Sequence, residues 1–215
     1  MGRLPGAPGP VAWRALLPDL VLLEGGTRTA RDEAVRAVLA NMLNEAEAGL
    51  RTGRTGRGKP VLLAPVGASY SVSRSGDLLL VGTARNAACG VDLEVIRRDL
   101  PVLDVAESFF APNEAAFIRT QSKALQPWAF FALWTAKEAV LKATGEGVAG
   151  GLRTPHLGGD ALTPLLNGAR FVKLDLGAGV SVALLTADTG SGAVIAAHAT
   201  IRQHPSGSGL EDRGG

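Results

Sequence analysis

The stretch FALWTAKEAVLK, residues 131–142, interleaves apolar and charged side chains at helical spacing. Apolar residues at steps of three and four predict an amphipathic helix. The stripe consists of Phe130, Leu133, Trp134, Ala136, Val140 and Leu141. Glycines at 145 and 147 follow, and glycine is typical of the position just past a helix end. We therefore expect a long helix with one face in a core.

Three side chains follow one another along the edge of that stripe. Trp134, Glu138 and Lys142 are each four residues apart, so they share one helix face at its margin. One interpretation is a surface ion pair between Glu138 and Lys142, worth roughly 0.3–0.5 kcal/mol. The other is a functional site that uses both charges, and a second motif bears on the choice.

The second motif is GVDLE, residues 90–94, which follows an apolar run and predicts a strand. Residues two apart on a strand share a face, so Asp92 and Glu94 put two carboxylates on one side. Their repulsion needs a cation to offset it. With Glu138 as a third carboxylate they would form the oxygen cage that Mg2+ takes beside substrate phosphates.

Three blocks occur in order over about sixty residues. They are Gly90 to Glu94, Phe109 to Glu114, and Trp134 to Gly147, which contains W-T-x-K-E-A-x-x-K-x-x-G-x-G. In order and spacing they resemble the motifs of the 4'-phosphopantetheinyl transferases. Weaker matches extend the resemblance from about residue 58 to the C-terminal strands, whereas residues 1–50 match poorly.

The resemblance implies a group transfer from coenzyme A. It moves 4'-phosphopantetheine to a serine of an apo acyl or peptidyl carrier protein and releases adenosine 3',5'-bisphosphate. Mg2+ held by Asp92, Glu94 and Glu138 would offset the negative charge that builds on the phosphate oxygens. Coenzyme A is thus the expected co-substrate and Mg2+ the expected cofactor.

The resemblance also assigns roles in catalysis. Glu138 is the first choice for the base that accepts the serine proton, directly or through water, and Glu114 is the reserve. Lys137 and Lys142 would clamp phosphate oxygens by their position. For Glu114, an ordinary charge at a helix N-terminus, favoured by the helix dipole, is an equally good interpretation.

The basic segment 51–60 contains two overlapping patterns. Gly53 to Lys59 imitates the P-loop, G-x-x-x-x-G-K, but Pro60 stands where that motif needs Ser or Thr, and no buried strand precedes it. We therefore reject a nucleotide triphosphatase. Gly58-Lys59-Pro60 resembles the family's G-K-P step, which implies that Lys59 and Pro60 contact coenzyme A at its phosphates; a flexible basic loop is the alternative.

A pair of strands is predicted on either side of a tight turn at Ser75-Gly76-Asp77. Ser73 and Arg74 stand where the family has a Ser and a His that contact the 3'-phosphate of coenzyme A. Arginine binds phosphate bidentately and has no pKa near neutrality. Phosphate binding should therefore survive here without a histidine-derived pH dependence.

The order of predicted elements indicates an α+β fold, with an early strand near Leu20 to Leu23 and a helix from Thr29 to Leu43. The resemblance implies a pseudo-twofold arrangement of two similar lobes, each a small antiparallel sheet packed on a long helix, with the site between them. We expect a monomer, as in the longer, surfactin-synthetase-activating branch. The expected segments are a flexible arm (1–12), an N-terminal lobe (13–89), a C-terminal lobe (90–202) and a disordered tail (203–215).

Composition narrows the class of protein. Hydrophobic residues make up 46% and charged residues 20% of the chain, which is typical of a globular domain. The net charge of +2 suits an anionic ligand, but the basic run at 51–59 lacks the aromatic residues that stack on nucleic acid. The single cysteine, Cys89, excludes an internal disulfide. No apolar run reaches the length of a membrane span, and we expect a cytoplasmic location.

The main alternative is a binding module of another class. It would hold coenzyme A or a carrier protein without catalysis, and Arg74 in place of the family's His favours it. A metal-dependent phosphohydrolase is less well supported, because no His or Asp cluster supplies a second metal.

Overall fold

The computed structural model describes residues 2–3, 12–17, 20–146 and 152–153 and the strands 170–175, 180–188, 193–194 and 197–200. The tail predicted at 203–215 lies outside these residues, as does most of the arm predicted at 1–12. No helix within the described ranges has the length and apolar character needed to span a membrane.

The first sheet has the strand order β1-β2-β3-β7-β6 and is antiparallel throughout. Its strands are β1 (Gly2–Arg3), β2 (Ala12–Leu17), β3 (Leu20–Glu24), β6 (Ala68–Ser75) and β7 (Leu78–Arg85). The predicted hairpin is confirmed, because Ser75 pairs with Leu78 across the turn. Gly76 in that turn has φ +56°, a conformation that favours glycine.

The helix α1 (Arg28–Leu43) covers this sheet, close to the bounds predicted from its apolar period. Thr27 caps its N-terminus, since the Ala30 N–H donates to Thr27 Oγ1 at 3.1 Å. The apolar face of α1 and the inner face of the strands share one core, which includes Leu23, Ala34, Val38, Leu39, Leu79 and Val81.

Between α1 and β6 lies a two-stranded hairpin of β4 (Arg51–Arg54) and β5 (Pro60–Ala64). The segment that imitates a P-loop therefore joins two antiparallel strands, whereas a P-loop opens a helix. The rejection of the nucleotide triphosphatase pattern is thus confirmed by the local structure.

The second sheet is built around β10 (Val180–Asp188), with which β8 (Val91–Val95), β9 (Arg170–Asp175) and β11 (Ala193–Val194) pair antiparallel. The strand β12 (Ala197–Thr200) pairs in parallel with β9 and β10. The described part of the chain is thus α+β, with small, largely antiparallel sheets and four α-helices.

The long helix α4 (Gln126–Thr144) lies on β8 and β10. Its predicted stripe is buried, apart from the half-buried Trp134 at its margin. Gly145 ends the helix in the left-handed region at φ +76°, as its sequence position predicts. The helices α2 (Val102–Phe109) and α3 (Pro112–Thr120) complete this core.

Gly90, just before β8, allows α4 to approach the sheet closely. A Cβ at this position would lie 2.0 Å from the Ala139 carbonyl oxygen and 2.5 Å from the Ala143 nitrogen. Only a residue without a side chain fits this contact, which brings the Glu138 and Lys142 edge of α4 to the carboxylates of β8.

Candidate active site

The two carboxylates of β8 lie on the same side of the strand, as the alternation predicts. Asp92 is 3% exposed and Glu94 is half-buried. Ser73 Oγ donates to Asp92 Oδ1 at 2.7 Å, and Ser75 Oγ donates to Glu94 Oε2 at 2.9 Å. Both serines come from β6, so this face of β8 looks toward the first sheet.

Lys142 reaches the same carboxylates from α4. Its Nζ lies 2.6 Å from Asp92 Oδ1 and 3.0 Å from Ser73 Oγ. The interpretation as a surface pair with Glu138 is therefore revised, because the helix edge lies against β8 and offers Lys142 a more buried acid. The Lys142 side chain keeps 31% of its surface exposed, so the ammonium group also faces the outside of the cluster.

Glu138 is half-buried beside this pair. Burial raises its pKa to about 7, repulsion from Asp92 and Glu94 adds to the rise, and Lys142 opposes it. Burial and the Asp92 charge also raise the pKa of Glu94. Coulombic effects of this kind require the groups to be close, so Glu138 lies within electrostatic range of Asp92 and Glu94, and the shared cation site of the three carboxylates stays a prediction.

The donor set of this cluster suits a hard divalent cation. Asp92 Oδ2 is buried and has no hydrogen-bond partner among the described residues, and a buried polar oxygen in that condition is costly unless a ligand completes it. Carboxylate oxygens are the ligands that Mg2+ prefers. As they stand, the described residues contain no group of three or more His, Cys, Asp or Glu side chains placed to hold a metal ion. The Lys142 ammonium group lies against Asp92 and supplies positive charge there.

A second acidic and basic pair joins α3 to α4 inside the core. Glu114 Oε2 accepts hydrogen bonds from the Ala111 N–H at 3.0 Å and from Lys137 Nζ at 2.8 Å. Both charged side chains are 0% exposed, and Lys137 Nζ lies 5.4 Å from the centre of the Phe110 ring.

The resemblance to the family predicts that Glu114 is a reserve base and that Lys137 binds phosphate. Glu114 is at the N-terminus of α3, as one interpretation expected, but its charge is buried rather than open. Lys137, expected on the phosphates, lies in the core because α3 packs over its side of α4. A role in clamping phosphate would require it to leave Glu114.

A cavity of about 230 Å³ lies beside Lys142. Its lining combines predicted residues with two that sequence reasoning missed, Arg57 and Tyr70; the predicted ones are Lys59, Pro60 and Lys142. Tyr70 lies on β6, within the part of the chain that resembles the family, and its aromatic ring was the feature of the sequence that could have indicated a ligand contact. Arg57 had only its position next to Gly58-Lys59-Pro60.

Lys59 faces this cavity and also binds the end of α4. Its Nζ donates to the Ala143 carbonyl oxygen, one of the carbonyls that a helix C-terminus leaves unpaired. Burial lowers the pKa of Lys59. The amino group therefore holds the hairpin β4–β5 against α4.

Ser73 and Arg74 point to opposite faces of β6 because they are adjacent on a strand. Ser73 is buried against Asp92, whereas Arg74 forms an exposed ion pair with Asp32 of α1. Arg74 does not border the cavity described above. The two side chains therefore lie on opposite faces of β6, and their contact with the 3'-phosphate of coenzyme A stays a prediction.

The chain is similar to several known proteins. Residues 88–172 match the 4'-phosphopantetheinyl transferase superfamily. The chain is 33% identical over 124 residues to the 4'-phosphopantetheinyl transferase HetI of Nostoc, covering 56% of this chain and 52% of the relative. It is 39% identical over 98 residues to the 4'-phosphopantetheinyl transferase psf-1 of Bacillus pumilus, covering 45% of this chain and 40% of that relative. It is 30% identical over 131 residues to the 4'-phosphopantetheinyl transferase AcpT of Salmonella typhi, covering 60% of this chain and 67% of that relative.

The chain spans about half the length of HetI, two fifths of psf-1 and two thirds of AcpT. The family match includes β8 with its two carboxylates and the whole of α4. Two of the three motifs that indicate the resemblance, Gly90 to Glu94 and Trp134 to Gly147, thus supply the carboxylates of β8 and Lys142 to that cluster. The chain belongs to the 4'-phosphopantetheinyl transferase superfamily.

Proposed function

We propose that this chain transfers 4'-phosphopantetheine from coenzyme A to a serine hydroxyl of an apo acyl or peptidyl carrier protein. The observation that carries the proposal is the contact between Lys142, which borders the cavity, and Asp92, a buried carboxylate with one unpartnered oxygen. The names of the relatives support the same activity.

Mg2+ is the proposed cofactor. Asp92, Glu94 and Glu138 would hold it, and when bound it would supply positive charge against the phosphate oxygens of coenzyme A. The unpartnered oxygen of Asp92 supports a cation at this place. Burial is the main cause of the raised pKa of Glu138, and repulsion from Asp92 and Glu94 adds to it; a cation would relieve that repulsion.

The cavity is proposed to bind the phosphate groups. Three cationic side chains, those of Arg57, Lys59 and Lys142, are among the residues that line it, as is Pro60. Guanidinium and ammonium groups bind phosphate oxygens through charge-assisted hydrogen bonds. Arg74 would join them only after release from Asp32, while Ser73 would act through Lys142 and Asp92.

Glu138 is the proposed base for the serine proton. Its half-buried position beside the proposed cation site would let it reach both the metal and the serine hydroxyl, directly or through water. Glu114 stays the reserve and Lys137 a reserve phosphate ligand, and each would have to leave its buried partner first.

We further propose two lobes, 13–89 and 90–202, related by a pseudo-twofold axis and active as a monomer. The support is that each sheet carries one long helix, α1 or α4. The carrier protein would dock near residues 95–110. Phe109, 52% exposed, and the exposed Arg97 and Arg98 suit a partner with apolar and acidic residues.

The test is incubation of the protein with coenzyme A, Mg2+ and a panel of apo carriers from fatty acid, polyketide and nonribosomal peptide systems. Intact mass should increase by one phosphopantetheine on at least one carrier. The same carrier with its acceptor serine replaced by alanine should gain nothing. The absence of any mass gain across the panel would contradict the proposal.

A catalytically impaired binding module is the second candidate. The ion pair between Arg74 and Asp32 favours it, because Arg74 is taken away from a phosphate contact. Such a module would bind coenzyme A in calorimetry yet leave every carrier unmodified, so the same panel separates the two functions.

A further inference from the structure

The strand β8 lies at an edge of its sheet, and its outward N–H groups have unusual partners. In the described ranges β8 pairs with β10 and β6 with β7, and no backbone pairing joins β6 to β8. The N–H groups of Val91, Leu93 and Val95 alternate with those that face β10. Buried edge groups of this kind must find other acceptors.

Three serines of β6 supply those acceptors. Ser71 Oγ accepts from the Val91 N–H at 3.0 Å, Ser73 Oγ from Leu93 at 3.2 Å, and Ser75 Oγ from Val95 at 2.9 Å. Each bond joins residues 20 apart in sequence, so the two strands run in the same direction. We call these three residues, Ser71, Ser73 and Ser75, the serine ladder.

Two members of the serine ladder also touch the carboxylates. A hydroxyl group can accept and donate at once, and Ser73 and Ser75 donate to Asp92 and Glu94 at 2.7 and 2.9 Å. Each of these hydroxyls therefore ties a carboxylate of β8 to an N–H of the same strand. Such a bond restricts the carboxylate to one rotation relative to the backbone.

We propose that the serine ladder is the positioning device of this site: Ser73 and Ser75 join the two sheets and aim the Asp92 and Glu94 carboxylates at one shared point. The inference rests on the proposed function, because that point is the proposed cation site. Groups that orient metal ligands commonly change metal affinity by about 10–100-fold when they are removed.

The ladder contains its own control. Ser71 makes the same kind of bond to β8, but among the hydrogen bonds of the described side chains it contacts neither carboxylate. Ser71→Ala thus removes one link between the sheets, whereas Ser75→Ala removes a link and the donor to Glu94. Ser71 also borders the cavity, so the assay contains no coenzyme A.

The experiment measures Mn2+ binding by calorimetry and thermal unfolding for the parent and the two alanine variants. Both variants should lose melting temperature to a similar extent. Only Ser75→Ala should weaken Mn2+ binding, by about tenfold, and Ser75→Thr, which keeps the hydroxyl, should restore it. Equal Mn2+ affinity in all variants would overturn the positioning role. Ser75→Cys, a closely shaped weaker donor, replaces the alanine variant if that variant does not fold.

Failure of the parent to bind Mn2+ would count against the proposed cation site itself. In that case a double-mutant cycle of Ser75→Ala and Glu94→Ala, measured by thermal unfolding, tests whether the serine ladder positions Glu94. If Ser75 aims Glu94, the double variant loses less melting temperature than the sum of the single losses. Strictly additive losses would overturn the inference.

Discussion

Asp92 accepts hydrogen bonds from Ser73 and Lys142 through one carboxylate oxygen, and no group in the described part of the chain donates to the other. A carboxylate this deeply buried needs positive charge close by, and Lys142 supplies it. At the scale of single residues, an ammonium group therefore lies on the acid that the proposed cation needs. The two positive charges should compete for Asp92.

Replacement of Lys142 tests this competition. Without divalent cation, Lys142→Met should lower the free energy of unfolding by about 1–3 kcal/mol, because it leaves Asp92 buried without a partner charge. The partial exposure of the Lys142 side chain keeps the effect below that of a fully buried pair. Urea unfolding with and without Mn2+ measures it, and Mn2+ should stabilise the variant more than the parent. Lys123→Met, on an exposed loop, is the control. Equal stability of the parent and Lys142→Met would contradict the competition.

The raised pKa of Glu138 predicts a pH-dependent stability. Because the folded protein holds this proton up to a pH of about 7 while the unfolded chain releases it near 4.5, ionisation works against folding. The stabilising contribution is complete below about pH 4.5 and is lost as the pH rises to 7.

The variant Glu138→Gln should remove this part of the pH dependence. Half-burial limits the effect to at most about 2 kcal/mol. Melting temperatures of the parent and the variant, compared from pH 4.5 to 8 without metal, measure it. A constant difference between the two proteins over that range would contradict the raised pKa.

At the scale of elements, the contact between α4 and β8 decides the geometry of the cluster. Gly90 sets the distance between these elements, because a Cβ there would meet the backbone of α4. The same helix carries Glu138 and Lys142 on its edge. Small shifts of α4 should therefore separate Lys142 from Asp92.

Substitution of Gly90 tests the close approach. Gly90→Ala should lower the free energy of unfolding by roughly 3 kcal/mol or more, because helix backbone cannot yield as a flexible side chain can. Urea unfolding provides the measurement. In Gly56→Ala a Cβ would meet nothing within 4 Å, so that control should change stability by less than about 0.5 kcal/mol. Similar stability of both variants would count against the contact.

At the scale of the whole molecule, the cluster lies where two sheets meet. The strand β6 belongs to the first sheet, β8 and α4 belong to the second sheet and its helix, and the hairpin β4–β5 closes the cavity. Residues from about 57 to 142 therefore contribute to one site. The proposed transfer should require the negative charge of the β8 carboxylates, whereas the secondary structure should form without it.

The substitution Asp92→Asn tests that dependence. It keeps the shape of the side chain but removes its negative charge, so transfer to an apo carrier should slow by about 10²–10³-fold while circular dichroism stays unchanged. Mass spectrometry of the carrier over time gives the rate. Glu33→Gln, at an exposed position of α1 away from the proposed docking surface, should keep the parental rate. A near-parental rate for Asp92→Asn at saturating Mg2+ would contradict the site.

Several features followed from local patterns alone. The period of apolar residues predicted α4, and Gly145 predicted its end, because helix geometry repeats within a few residues. Strand alternation placed Asp92 and Glu94 on one face. It could equally have shown that Ser73 and Arg74 point to opposite faces.

The sequence by itself determined the helices α1 and α4 and the hairpin around Gly76, which carboxylates share a face, and the family to which the chain belongs. Only the tertiary structure decided the partners of the charged residues. Lys142 lies four residues from Glu138 but 50 from Asp92, and the distant acid is its partner because Gly90 lets α4 rest on β8. Lys137 is buried because α3 covers it. Helical spacing limits which neighbours a charge can reach, whereas packing between elements determines which partner it binds.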